Sequence, residues 1–126
     1  MLIKVAVASS GQEGLESIVS DVFGRSPFFV LIGIERGKIR KVTSMRNDAA
    51  ERQHGAGPLI CTKLSRLGVD VAIGSNFGPT VSDILREAGI QSMLVSPGIK
   101  VKDAVGYFIK ARRRQAKGKM TKLATR

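Results

Sequence analysis

Cysteine and histidine each occur once in the 126 residues, and tryptophan does not occur at all. A single cysteine excludes an intramolecular disulfide, and one thiolate cannot build a four-thiolate cluster site within one chain. No apolar run approaches the roughly 20 residues that span a bilayer. The opening MLIKVAVASS lacks both the long apolar core and the cleavage pattern of a secretion signal. The expectation is a cytoplasmic protein with no membrane partner. Acidic residues are also scarce, 10 against 21 lysines and arginines, for a net charge of +11. That excess is local. Lys110, Arg112, Arg113, Arg114, Lys117, Lys119, Lys122 and Arg126 follow one another without an intervening acid, and setting these eight aside leaves 13 basic residues against 10 acidic ones. The charge belongs to the end of the chain and says little about its body. Catalytic signatures are missing too: there is no Ser-His-acid set at motif spacing, no Walker loop and no GxGxxG. An enzyme is not expected.

What is present fits one domain long enough to bury a core without disulfides or structural metals. LIKVAVA is a short β-branched run ending in Ser-Ser-Gly, a buried strand feeding a loop. Residues 9–25 form a long Gly- and Ser-rich connection, and long connections in small domains are often functional. PFFVLIGIERGKIRKVTSM reads as a hairpin, with strands at 27–34 and 38–45 about a turn at Glu35-Arg36-Gly37. GPLICTKLSRLG follows helix rules: Pro58 at the first helical position, Ile60, Leu64 and Leu67 at helical spacing, and Gly68 as the stop. VDVAIG is a strand. GPTVSDILREAG repeats the helix design from Pro79 to Gly89, IQSMLVS is the last strand, and VKDAVGYFIKARRR is a helix burying Val101, Ala104, Val105, Phe108 and Ile109. Beyond Lys110 the apolar face disappears, and Gly118 adds to the expectation of a frayed, flexible basic tail over 111–126, after a domain of residues 1–110.

The order β-β-β-α-β-α-β-α is an α/β domain. Right-handed crossovers through helices at 58–67 and 79–88 make their flanking strands parallel. If the hairpin pairs beside strand one, the simplest result is a five-stranded mixed sheet of order 3-2-1-4-5, with strand two alone antiparallel and three helices. Four loops, 8–25, 46–57, 74–78 and 96–100, then gather at the carboxyl edge of the sheet, where open α/β sheets bind ligands.

VFGRSPFFVLIGIERGKI, HGAG and LGVDVAIGSNFGPTVSDILREAGI, followed by a short final helix, resemble the dinitrogenase iron-molybdenum cofactor biosynthesis family. That family comprises NifX-like proteins, the C-terminal domain of NifB and stand-alone homologues. The resemblance covers residues 2 to about 110, and its motifs are Phe-Gly-Arg-x-Pro-x-Phe at 23–29, His-Gly-Ala-Gly at 54–57 and Gly-x-x-x-Gly-Pro at 74–79. It implies a three-layer, ribonuclease H-like architecture. It also implies a non-catalytic carrier of iron-sulfur or molybdenum-containing sulfide clusters or their precursors, working with cluster donor or acceptor proteins as a monomer or weak homo-oligomer. The catalytic radical domain of NifB has no counterpart here. Nuclease chemistry, which such an architecture could suggest, needs clustered carboxylates holding two metals, and the strands here offer Val, Ala, Ile and Leu.

Candidate site residues follow from the loops. From the residues alone His54 is either a metal ligand, since neutral imidazole binds iron, or a loop-bracing histidine bonded to backbone. Carried over from the HGAG motif, it is the anchor of a cluster. Gly55, Ala56 and Gly57 precede or open a helix, so their amides and the positive end of the helix dipole suit an anion, and equally suit simple helix entry. GSNFGPT has the same construction, with Ser75 and Asn76 offering polar groups and Gly78 opening the next helix. Arg25 is placed to pair with an anionic ligand or to be a surface arginine, and Phe23 to wall the site or to be core. Cys61 falls beside Ile60 and Leu64 on the apolar face, which favours a buried small hydrophobe. Any iron-sulfur or molybdenum/iron-sulfide cluster would then be pre-formed and held largely non-covalently, or shared between chains. Arg112, Arg113, Arg114, Lys117, Lys119 and Lys122 admit three roles: binding a polyanion such as a metal-sulfide species, binding nucleic acid non-specifically, or solvating the tail. The two competing functions are a nucleic-acid-associated protein using that tail and a regulatory domain that has kept the fold without the ligand.

Overall fold

The computed structural model describes residues 2–124, with side chains described for 2–115. Its centre is β1 (Leu2–Ser9), whose alternation of valine and alanine sorts residues to two faces. Val5 and Val7 join one apolar cluster, Ala6 and Ala8 another, and all four are fully buried. β2 (Phe28–Glu35) runs antiparallel beside β1, with Val5 opposite Ile32 and Ser9 opposite Phe28. β3 (Lys38–Arg46) pairs antiparallel with β2, with a register irregularity between Gly33 and Ile34. β4 (Val71–Gly74) lies parallel on the other side of β1, and β5 (Gln91–Leu94) lies parallel to β4. The order is β3-β2-β1-β4-β5, with β2 alone reversed, as the crossover rules predicted.

Three helices complete the α/β domain: α1 (Ala56–Arg66), α2 (Pro79–Glu87) and α3 (Val101–Ala124). Val101, Ala104, Val105 and Phe108 of α3 pack on the valine face of β1, with Val30, Val71 and Ile73. Ile60, Cys61 and Leu64 of α1 and Leu85 of α2 cover the alanine face, where the small side chains of Ala6, Ala8 and Ala72 admit Phe23 and Phe29. Burial of each large apolar side chain contributes roughly 1.5–3 kcal/mol relative to exposure. β3 forms one edge of the sheet and is exposed over most of its length; Lys38, Arg40, Lys41 and Arg46 blunt it against pairing with another chain.

The structure departs from the sequence-based expectation in four places. α1 starts at Ala56, because Gly55 takes a left-handed conformation (φ 77°) that turns the chain into the helix. Pro58 is therefore the third helical residue, still within the first turn, where a missing amide breaks no helical bond. β5 ends at Leu94, short of the expected Ser96. The first connection is partly ordered by a 3₁₀ turn (Gly14–Glu16) and by bridges from Ser9 to Val19 and from Ile18 to Lys100. Finally, α3 does not stop at Lys110 but continues to Ala124. Ala111, Arg112, Arg113, Arg114 and Gln115 are strong helix formers, so backbone propensity extends the helix after its apolar face has ended. No helix among the described residues is long and apolar enough to cross a membrane.

Candidate functional site

β1, β3, β4 and β5 point the same way, so the segments that follow them emerge at one edge of the sheet. The connection after β1 holds the other three. Ser75 Oγ donates to the Ser20 carbonyl at 2.8 Å, tying in the segment after β4. Asn47 Nδ2 donates to the carbonyls of Gly24 (3.1 Å) and Ser26 (2.8 Å), while its Oδ1 accepts from the Ala49 amide at 3.1 Å, which fixes the segment after β3. The amide of Val19 donates to the Ile99 carbonyl and that of Val101 to the Ser17 carbonyl, each at 2.8 Å, holding the segment after β5. Glu16 adds charge at that junction, accepting from Lys100 at 2.9 Å and lying 3.1 Å from Lys102. Hydrogen bonds from Lys100 and then Lys102 lower the Glu16 pKa below its ordinary value, and Glu16 raises that of Lys100.

Two helix starts meet at this edge. A Cβ on Gly57, the second residue of α1, would lie 2.8 Å from Val81 Cγ2, in the first turn of α2. A Cβ on Gly24 would lie 3.0 Å from the Cα of Gly57. The first connection, α1 and α2 therefore touch through hydrogen atoms where any side chain would hold them apart. Both helices are capped by glycine, Gly55 and Gly78, with no side-chain cap, and both carry proline in the first turn. The positive ends of two helix dipoles and their unpaired first-turn amides are thus brought side by side.

His54 stands immediately before this cap, exposed, with no hydrogen-bond partner among the described residues. Asn76 is likewise exposed and unpartnered among them. Arg25 is occupied: Nη1 donates to the carbonyls of Ala50 (3.1 Å) and Arg52 (2.5 Å), and Nη2 to that of Gln53 (3.0 Å). Its guanidinium braces the stretch of chain that leads into His54. Ser75 gives its proton to Ser20, so its hydroxyl positions a loop as well. Phe23 is core, 2% exposed, with its ring 5.0 Å from that of Phe29 and 4.8 Å from that of Phe77. Cys61 is fully buried, and desolvation pushes its thiol up to about 11, so it remains protonated. Among the described residues no group of three His, Cys, Asp or Glu side chains could hold a metal ion. His54 is the one exposed side chain of metal-binding type in the HGAG segment.

Sequence reasoning missed Asn47, 4% exposed, whose side chain joins the connections after β1 and β3. Its signal was local, since Asn-Asp after a strand marks an Asx turn, but its partners at Gly24 and Ser26 come from a distant segment. Ser26 was missed for the same reason; its buried hydroxyl lies 2.9 Å from both the Ser9 and the Phe28 carbonyls. A cleft of about 680 Å³ also opens near this edge, lined by Gln12, Phe28, Arg46, Asp48 and Glu51 among others. None of the expected ligand residues lines it, and its carboxylates would repel an anionic cargo. The helix starts are the better candidate. Arg112, Arg113 and Arg114 are exposed on α3, and Arg113 lies at the β2–β3 turn, the opposite edge of the sheet from His54. The side chains of Lys117, Lys119 and Lys122 lie outside the described residues.

Residues 1–111 match the family model described as dinitrogenase iron-molybdenum cofactor. An uncharacterized protein of Methanocaldococcus jannaschii is 31% identical over 72 residues, which span 57% of this chain and 61% of that protein. The chain thus matches less than two thirds of that relative's length. The apo form of the orange protein from Desulfovibrio gigas superposes with a TM-score of 0.77 at 28% identity, covering 86% of this chain and 88% of that one. A proposed NifB protein from Thermotoga gives 0.70 at 32% identity, covering 87% and 90%.

Proposed function

The chain belongs to the dinitrogenase iron-molybdenum cofactor family, and from that premise we propose that it is a non-catalytic carrier or storage protein for a pre-formed anionic metal-sulfur cluster. The observation that carries the reading is the contact of Gly24, Gly57 and Val81, which sets two glycine-capped helix starts side by side. The cargo is iron-sulfide or molybdenum/iron-sulfide, received from one protein and passed to another. The likeness to an orange protein solved in its apo form supports a ligand-bearing fold of this kind.

In this reading the amides of Ala56 and Gly57 face the cluster from α1, with those of Thr80 and Val81 from α2. Each charge-assisted bond contributes on the order of 1.5–3 kcal/mol, and association itself costs about 4–15 kcal/mol. The hold is therefore labile, as transfer requires. His54 adds one metal–nitrogen bond, while Arg25, Ser75 and Asn47 act by fixing the loops; Asn76 and Gly78 contribute at the α2 side. Cys61 takes no part, because a buried protonated thiol is no ligand.

Reconstitution without oxygen with iron, molybdate and sulfide, followed by visible spectra and metal analysis of the wild type and His54→Ala, tests the proposal. The expected result is a cluster spectrum in the wild type that is shifted and bleaches faster in His54→Ala. Failure of the wild type to retain metal under any of these conditions would contradict the carrier function. An unaltered His54→Ala spectrum would contradict only the ligand assignment.

A further inference from the structure

At the opposite edge of the sheet from the helix starts, the β2–β3 turn and α3 enclose a second cleft of about 220 Å³. Its apolar floor is offered by the half-buried Ile3 and Ile109, backed by the buried Ile34 and Phe108. Three arginines form its rim. Arg113 lies flat against the turn, with Nη2 3.5 Å from the Gly37 carbonyl, and a Cβ at Gly37 would come within 3.1 Å of that nitrogen. Arg112 rests over the Phe108 ring at 5.7 Å. Arg36 occupies the first central position of the two-residue turn at φ 53°, a left-handed conformation that favours Gly, Asn or Asp. None of the three has an acidic partner at ion-pair distance among the described residues, and the neighbouring Glu35 is engaged by Arg40 at 3.8 Å.

We propose that this cleft docks an acidic peptide segment of a partner protein, with one large apolar side chain of that segment on the floor and flanking carboxylates on the arginines. Charge complementarity sets the sign of the partner, and guanidinium groups suit planar carboxylates. The floor selects a peptide over a nucleic acid. A phosphate backbone is attracted by cations alone, whereas base stacking needs an open aromatic face, and Phe108 is 3% exposed beneath Arg112. An apolar anchor ringed by charges is the usual anatomy of a protein contact. β1 separates the two ends by roughly 23 Å, from seven steps of about 3.3 Å, so a partner docked here leaves the helix starts free.

The test is fluorescence anisotropy with the full chain and a labelled glutamate-rich peptide containing one central phenylalanine. The same peptide with serine in its place and a short DNA duplex serve as competitors. Arg36→Asn removes the charge with a residue that tolerates the left-handed turn, and Arg113→Gln provides a second variant; circular dichroism and the Tm check folding. The expected result is that serine for phenylalanine weakens binding about tenfold, that Arg36→Asn weakens the phenylalanine peptide several-fold, and that DNA competes poorly. Equal binding of the two peptides, indifference to Arg36→Asn, or displacement by DNA at lower concentration than by peptide would each overturn the proposal. The first two outcomes would mean that the basic end of the chain attracts anions without using the cleft.

Discussion

Gly57 has a hydrogen where Val81 leaves no room for a methyl group, since the missing Cβ would stand 2.8 Å from Cγ2. Gly57→Ala is expected to lower stability by about 1–3 kcal/mol, and Val81→Ala in the same chain to recover much of that loss, as read by thermal melts of the single and double variants. Failure of the second change to rescue the first would show that the loss does not arise at the Gly57–Val81 contact. Glu16 gives a prediction in pH. Its folded-state pKa is lowered by Lys100 and Lys102, so the pair's contribution is present above the ordinary carboxylate value of 4.5 and fades as pH falls through the lowered one. An NMR titration should place the Glu16 midpoint below 4.5, moving back towards it when both lysines are replaced by methionine. Cys61 should be silent to thiol reagents at pH 8 in the native protein, because its thiol titrates near 11 and is buried. Rapid labelling without unfolding would refute that placement.

Among the elements, the connection after β1 matters more than its irregular sequence suggests. Arg25 donates to three carbonyls between Ala50 and Gln53, so Arg25→Ala should raise amide exchange across residues 49–55 while leaving β1 and β4 protected. Unchanged exchange there would remove Arg25 from its bracing role. The same segment explains what the sequence could and could not reveal. Strands and helices were legible because β1 alternates valine with alanine and because Ile60 and Leu64 in α1, and Val81 and Leu85 in α2, recur at helical spacing. Sheet order followed from placing the hairpin beside β1, and the crossovers set which strands run parallel. The start of α1 was misplaced at Pro58 because proline at a helix beginning is a strong local signal, whereas the left-handed Gly55 that caps the helix is visible only in the backbone. The bonds of Arg25, Asn47 and Ser75 were illegible because their acceptors are main-chain carbonyls, which every residue offers. HGAG marked the place of the candidate site but not the reason for its second glycine, whose neighbours Gly24 and Val81 come from remote parts of the chain.

Across the whole molecule, the arginine-rimmed cleft and the glycine-capped helix starts lie at opposite ends of β1. Arg36, Arg112 and Arg113 surround the hairpin turn, while Gly55, Gly57 and Gly78 open the two helices at the carboxyl edge. In the proposed carrier, such separation would let a partner be held at one end while cargo enters or leaves at the other. Whether the protein carries the proposed cargo is read from the iron, molybdenum and acid-labile sulfide content of the full chain isolated without oxygen from cells supplied with all three. Metal and sulfide are expected together, lost from the protein on gel filtration with a competing chelator while the fold persists. Protein that is free of sulfide and metal before any chelator is added would contradict the proposed cargo.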